Sequence, residues 1–138
     1  MPTTSRRRDR SAADREPVDT GPLNDIHLRG RLSAAPEQRE LPSGDVVVVF
    51  RLVVDRPPRS SSTVSAARVD TLDCAVFRAD VRRRSASWGP GDVIDLRGSL
   101  RRRFFRTGGG PASRYEVEVL AASRVLRAGT SARATMTG

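Results

Sequence analysis

The sequence predicts an all-β domain that contains one short helix. Apolar side chains alternate with polar ones over four separate segments, which is the period of a strand with one buried face, and a fifth segment, residues 46–54, is long and rich in β-branched side chains. Clusters of Gly, Pro, Ser and Asp separate these segments and are typical of turns. Only residues 79–88 carry apolar side chains at helical spacing.

Three of the predicted strands precede this helix. The first begins at Asp25 and runs to about residue 32, where Ile26, Leu28 and Leu32 alternate with polar side chains. A loop and a turn are predicted over residues 36–45, which contain two prolines and a Ser-Gly-Asp cluster. The second strand covers residues 46–54 and the third about 69–77. Residues 56–67 are rich in Ser, Pro and Arg and predict a mobile hairpin loop.

The last two predicted strands follow the helix. A Gly-Pro-Gly-Asp sequence ends the helix, and the fourth strand covers residues 93–105, with a β-bulge expected at Gly98. A Gly-rich turn over residues 107–111 leads to the fifth strand at 115–120. Five strands with a helix between the third and the fourth form the order of the five-stranded OB-fold barrel.

We expect one folded domain over residues 23–127. Residues 1–22 are rich in Arg, Asp, Ser, Thr and Pro and predict a disordered, Arg-containing arm. Residues 128–138 are small and polar and predict a short disordered tail. At 138 residues the chain has room for one modest core.

Charge is the strongest signal in the composition. The formal net charge is +9, and Lys is absent, so the charge is carried by Arg. The Arg fork pairs with phosphate and its flat face stacks on rings, so a polyanionic partner is favoured: nucleic acid or an anionic membrane. No apolar run approaches the roughly 20 residues of a membrane span, and no long Arg-rich amphipathic helix is present. We therefore expect no membrane association.

The sequence supplies little for catalysis or metal binding. The single His27 and the single Cys74 have no companions at metal-ligand spacing, and no familiar nucleophile or phosphate-loop motif is present. We therefore predict that the chain is not an enzyme and uses no metal or cofactor. One cysteine allows no intrachain disulfide and favours a reducing cytoplasm.

Strand alternation places two aromatic rings on the polar side of the sheet. Phe77 lies opposite the apolar set that contains Cys74, and Phe105 lies opposite the apolar set of its own strand, with which Phe104 is in phase. A bulge at Gly98 could reverse the alternation beyond it and so exchange the assignments of Phe104 and Phe105. Aromatic rings on a basic sheet stack on unpaired bases. The set predicted to bind nucleic acid combines the two rings with outward arginines: Phe77, Phe105, Arg97, Arg101, Arg103, Arg29, Arg31 and Arg51.

The remaining aromatic side chains fit a core. Phe50 and Tyr115 are in phase with apolar neighbours on their strands, and Trp88 at the end of the helix is expected to plug the bottom of the barrel. Cys74 fits a buried small hydrophobe. His27 lies on a polar face and fits either a solvated position or a subunit interface.

Five blocks of the sequence follow one another at a familiar spacing. They are Asn24-Asp25-Ile26-His27-Leu28-Arg29-Gly30-Arg31-Leu32, Ala35-Pro36-Glu37-Gln38-Arg39 with Ser43-Gly44 and residues 49–52, Leu72-Asp73-Cys74-Ala75-Val76-Phe77-Arg78, residues 91–105, and Tyr115 with Glu118-Val119. Together they resemble the bacterial single-stranded-DNA-binding protein family, in particular its actinobacterial members. The resemblance covers about residues 23–126.

The resemblance implies a homotetrameric OB-fold protein of the cytoplasm and nucleoid. Such a protein wraps single-stranded DNA without sequence preference and protects it in replication, recombination or repair. The resemblance assigns the stacking role to Phe77 and Phe105. Thr71 stands where many members carry a further aromatic residue, so we expect weaker or more electrostatic binding with a steep salt dependence.

The C-terminal sequence departs from the family pattern. Family members that act in replication end in an acidic tail tipped by Pro-Phe, which recruits other proteins, whereas no acidic residue follows Glu118 here. We therefore expect a divergent or accessory paralogue and do not expect tail-mediated recruitment. Two alternatives stay open: an OB-fold accessory subunit that acts mainly through protein contacts, and an RNA-binding OB-fold protein.

Overall fold

A computed structural model describes residues 17–57 and 68–130. The predicted N-terminal arm, hairpin loop and C-terminal tail fall largely on residues 1–16, 58–67 and 131–138, which lie outside the described residues. The elements in chain order are β1 (Ile26–Leu32), β2 (Glu37–Glu40), β3 (Val46–Asp55), β4 (Val69–Val76), α1 (Ala79–Ser85), β5 (Val93–Thr107) and β6 (Gly110–Leu126).

Five of these strands close into a barrel, which confirms the predicted OB-fold. The strands follow one another in the order β1-β5-β6-β4-β3, and β3 returns to β1. The closing contact is short, with Arg31 opposite Val53 and Leu32 opposite Leu52. The pairing of β4 with β6 is parallel, and the other pairings are antiparallel. Closure leaves the barrel with one filled interior and one outer surface.

The barrel interior is filled by the side chains that alternation predicts. Leu52 and Ile94 have no exposed surface, and the rings of Phe50 and Trp88 meet edge to face with centroids 5.9 Å apart. The core positions predicted for Phe50 and Trp88 are therefore confirmed. Cys74 is also buried, as expected, and burial, followed by the charges of Asp73 and Glu116, raises the pKa of its thiol to about 12.

The strand β2 was not predicted, because residues 36–45 were expected to form only a loop and a turn. Glu37–Glu40 pair with Val46–Val49 across a turn in which the Leu41 N–H donates to the Asp45 carbonyl oxygen, the Gly44 N–H donates to the Leu41 carbonyl oxygen, and Gly44 has a φ of 91°. The four side chains of β2 are all exposed. Such a strand is held by backbone hydrogen bonds alone and leaves no alternation in the sequence.

The helix is shorter than the predicted 79–88. It ends at Ser85, and a turn that includes a hydrogen bond from the Trp88 N–H to the Ser85 carbonyl carries the indole into the core. The Asp92 carboxylate anchors the segment that follows. It accepts hydrogen bonds from the backbone N–H groups of Ala128 and Gly89 and from Arg124, and these bonds lower its pKa.

The strands β5 and β6 are longer than predicted and form a hairpin that extends past the barrel. Register shifts at Gly98, as the predicted bulge requires, but the extra residue is Leu120 of β6. The alternation of β5 is therefore not reversed. Gly98 is required here for space, since a Cβ atom at this position would collide with the Glu118 carbonyl oxygen. Residues 101–116 are called the β5–β6 hairpin below.

Candidate nucleic-acid interface

Phe77 lies on the outer surface of the barrel, immediately after β4. Phe77 is half-buried, and the Arg103 guanidinium carbon lies 5.5 Å from its ring centroid. Its carbonyl oxygen accepts a hydrogen bond of 3.1 Å from Nε of Arg82 in α1. The helix and the neighbouring strand therefore hold Phe77 in place, which lowers the entropy cost of stacking on a ligand.

Phe105 lies on the same side of the sheet, on the β5–β6 hairpin. It is 40% exposed, and the guanidinium carbon of Arg114, from the opposite strand, lies 5.5 Å from its ring centroid. The expected outward position of Phe105 is confirmed. We call this side the Phe105 face; on the hairpin it carries Arg101, Arg103, Phe105, Arg114 and Glu116.

The opposite side of the hairpin contradicts two predictions. Phe104 and Tyr115 were expected to point into the core but are 72% and 59% exposed. Both are in phase with core residues, but the hairpin has left the barrel at this point, so alternation no longer leads to burial among the described residues. We call this side the Phe104 face; it carries Arg102, Phe104, Ser113 and Tyr115.

Most of the predicted arginines on the Phe105 side are paired with carboxylates. Arg51 lies 3.1 Å from Asp73, and Arg101 lies 3.3 Å from Glu118. Arg103 donates to Glu116, whose side chain is only 5% exposed. The structure thus brings these arginines together with the two rings but compensates their charges locally.

Arg29 and Arg31 project from β1 on the outer surface, farther round the barrel. Arg29 and His27 both bind the Asp95 carboxylate at 2.9 Å, and Arg31 lies 3.0 Å from Asp55. Because a carboxylate only accepts, Nε2 of His27 is the donor. The hydrogen bonds from His27 and then from Arg29 lower the pKa of Asp95.

Arg97 makes no ion pair with a carboxylate of the described residues. It is exposed and lines a shallow depression with Arg84, next to Ala121 and Ser123 of β6. Arg84 donates from Nη1 to the Ala122 carbonyl oxygen at 2.7 Å. The guanidinium groups of Arg84 and Arg97 could both bind a phosphate in this depression. Among its lining residues, Asp95 is the one carboxylate that competes with the phosphate.

The sequence reasoning missed four members of this surface: Arg102, Phe104, Arg114 and Tyr115. The Gly-rich turn at residues 107–110 holds the signal that could have found them. Once the turn is placed, the hairpin register follows, with Phe105 opposite Ala112 and Arg102 opposite Tyr115. Side chains this close to the turn, such as Phe104 and Tyr115, lie beyond the barrel and are exposed.

Within the described residues no cluster of His, Cys, Asp and Glu is suited to hold a metal ion. In the same part of the chain, no helix has the length and apolar character that crossing a membrane requires. What the arrangement offers chemically is a set of rings flanked by guanidinium groups.

The chain is similar in sequence to proteins of a known family. The sequence model of the Single-strand binding protein family matches residues 23–126. A protein of Oceanobacillus iheyensis named single-stranded DNA-binding protein is 29% identical over 101 residues, and one of the same name from Fusobacterium nucleatum is 30% identical over 95 residues. These matches cover 73% and 69% of this chain but only 61% and 62% of the relatives.

The fold also has a solved counterpart. A chain of the Plasmodium falciparum SSB complex with ssDNA superimposes with a TM-score of 0.64 at 22% sequence identity. The match covers 79% of this chain and 98% of the other. This likeness supports the same barrel architecture. The predicted similarity to actinobacterial members of the family stays a prediction.

Proposed function

The chain belongs to the single-strand binding protein family, and from this premise we propose that it binds single-stranded DNA without sequence preference. The observation that carries the proposal is the arrangement of two aromatic rings on the Phe105 face. There Phe77 and Phe105, each in contact with a guanidinium group, lie on one outer surface of an OB-fold barrel. Stacking on such rings tolerates every base, because every base has a π-face.

The arginines divide into two classes in this proposal. Arg97 lacks a carboxylate partner among the described residues and is the first candidate for a phosphate contact. Arg29, Arg31 and Arg51 are exposed and their ion pairs are weak in water, so they can turn to phosphate at small cost. Arg101 can do the same.

Arg103 differs from these, because its partner is buried. Releasing Glu116 to reach a phosphate would leave a buried carboxylate without a counter-ion. We propose that Arg103 acts mainly by supporting the ring of Phe77, so that its direct contribution to phosphate binding is smaller than that of Arg97.

Fluorescence anisotropy with labelled oligothymidine, titrated across salt, tests the proposal. Phe77→Ala and Phe105→Ala should each weaken binding by about 1–3 kcal/mol, which is about 5- to 150-fold in Kd. Val125→Ala is a matched control, since Val125 is 50% exposed and lies about nine residues, or roughly 30 Å, along β6 from the hairpin. Unchanged affinity in both Phe variants would refute the stacking assignment.

We propose further that the chain assembles into a homo-oligomer, a tetramer by the resemblance. Support comes from β1: within the described residues it pairs with β3 only through Arg31 and Leu32, so one backbone edge of residues 26–30 lacks a strand partner. An exposed strand edge favours pairing with another chain. Sedimentation equilibrium at several protein concentrations tests this, and a monomer at micromolar concentration contradicts it.

The proposed role is binding without catalysis, in the protection of single strands during replication, recombination or repair in the cytoplasm. The alternatives differ in outcome. Equal or tighter binding of a matched RNA oligonucleotide would favour an RNA-binding protein. Undetectable binding to either at low salt, together with stable co-purification of a protein partner, would favour an accessory subunit.

A further inference from the structure

The β5–β6 hairpin has two exposed faces rather than one. Adjacent strand residues point to opposite sides, so Phe104 and Phe105 lie on opposite faces. Phe105 belongs to the side already assigned to stacking. Phe104 is the more exposed of the two, at 72% against 40%.

The Phe104 face carries a second set of rings around a cation. The Arg102 guanidinium carbon lies 5.3 Å from the centroid of Phe104 and 5.6 Å from that of Tyr115. Two nitrogens of the same guanidinium, Nε and Nη2, donate to Oγ of Ser113 at 3.2 and 3.1 Å. The arginine is thus held between the rings. A guanidinium covers at most one face of each ring, so a surface for stacking remains.

The charge on this face is not compensated. Arg101 and Arg103, on the Phe105 face, are paired with Glu118 and Glu116, whereas Arg102 has no carboxylate partner among the described residues. Residues 101–116 contain five arginines and one glutamate. Exposed rings next to an uncompensated cation fit a ligand that offers both π-faces and negative charge.

Charge complementarity selects the occupant. A second copy of this hairpin would bring another Arg102, also without a carboxylate partner among the described residues, against the same face, which like-charge repulsion disfavours. Single-stranded nucleic acid offers the opposite charge and the rings together. We propose that the hairpin binds a single strand on both of its faces, with Phe104 and Tyr115 as a second stacking site and Arg102 as its phosphate contact. This inference rests on the proposed function and extends it.

Photochemical cross-linking tests the inference directly. Oligothymidine bound to the full chain is irradiated, and the cross-linked peptides are identified by mass spectrometry. Cross-links at Phe104 or Tyr115, in addition to those at Phe77 or Phe105, are expected. Cross-links confined to Phe77 and Phe105 would overturn the second site while leaving the proposed function intact.

Affinity measurements provide the second arm. Phe104→Ala should raise the Kd for a long oligothymidine about fivefold or more. Arg102→Gln should reduce the slope of log K against log salt by about 0.7, the value for one phosphate contact on a single strand. Both side chains are exposed, so unfolding midpoints should match the wild type, and Val125→Ala again serves as the control.

The outcomes separate the two proposals. If the wild-type chain binds no oligothymidine, the proposed function fails and the second site with it. If the wild type binds and Phe104→Ala binds equally well, only the second site is refuted. If Phe104→Ala keeps its affinity but changes the sedimentation of the free protein, Phe104 lies in a protein interface and the inference is also wrong.

Discussion

Replacing Arg103 separates its structural role from a role in binding. Arg103 donates to Glu116 and lies over the Phe77 ring. Arg103→Met keeps most of the side-chain volume and removes the charge, so the buried carboxylate loses its counter-ion. We expect a loss of folding stability together with a small change in the salt dependence of DNA binding.

The magnitude follows from the burial of the two partners. The Glu116 side chain is 5% exposed and that of Arg103 is 38% exposed. Removing one partner of a fully buried pair costs about 3–5 kcal/mol, and leaving a buried polar group unsatisfied costs about 1–3 kcal/mol. Because water reaches Arg103, we expect about 2 kcal/mol for Arg103→Met. Glu116→Met should cost less, about 1 kcal/mol, since the exposed guanidinium can turn to water.

The double variant Arg103→Met with Glu116→Met decides the cause. Replacing both partners of a buried pair by apolar side chains is often close to neutral, so the double variant should be more stable than Arg103→Met alone. Urea unfolding, followed by the fluorescence of the single Trp88 at a fixed protein concentration, measures all three variants. A double variant no more stable than Arg103→Met would refute the reasoning.

Three further predictions concern packing, pH and salt. Gly98→Ala should lower the free energy of urea unfolding by about 1–3 kcal/mol, because the added methyl group collides with a carbonyl oxygen of β6. In the control Gly108→Ala the methyl group enters open space, so the free energy of unfolding should change by less than about 0.5 kcal/mol. The hydrogen bonds that lower the pKa of Asp92 stabilise the folded chain fully at pH values above the ordinary Asp pKa near 4. This stabilisation is lost as the pH falls through the lowered pKa of the folded state. The urea midpoint should therefore fall in acid, and it should fall less in Asp92→Asn. Arg97→Gln should reduce the salt slope of oligothymidine binding by about 0.7, while the control Arg39→Gln, on the exposed β2, should leave it unchanged.

The sequence predicts the barrel because its strands have one face in the core and one in solvent. Leu52 and Leu96 illustrate this, since each is buried while the following residue, Val53 or Arg97, faces outward or is partly exposed. Alternation of this kind is visible without any structure. The helix is likewise marked by buried Val81 and Ser85 at a spacing of four residues.

The features that the sequence did not predict, the strand β2 and the exposure of Phe104 and Tyr115 on the β5–β6 hairpin, lie where the chain does not touch the core. The strand β2 is exposed at every position, and the β5–β6 hairpin is paired through its backbone beyond the barrel. In the hairpin, phase alone is a misleading guide. Tyr115 is in phase with Val117, two residues along the strand, yet Val117 is 2% exposed and Tyr115 is 59% exposed. Alternation predicts the side of a strand, while burial depends on whether another layer lies above that side.

The distribution of carboxylates explains how a basic chain can concentrate its attraction for a polyanion in a few residues. On the barrel, Arg29, Arg31 and Arg51 each lie beside an aspartate, so much of their charge is balanced. On the hairpin, Arg102 and Arg114 lie beside rings and make no ion pair with a carboxylate of the described residues. Counter-ions are released mainly from uncompensated cations, so Arg97 on the barrel and a few hairpin residues should set the salt dependence. Arg29, Arg31 and Arg51 should therefore contribute less to the slope than Arg97 and the two arginines of the hairpin that contact its rings.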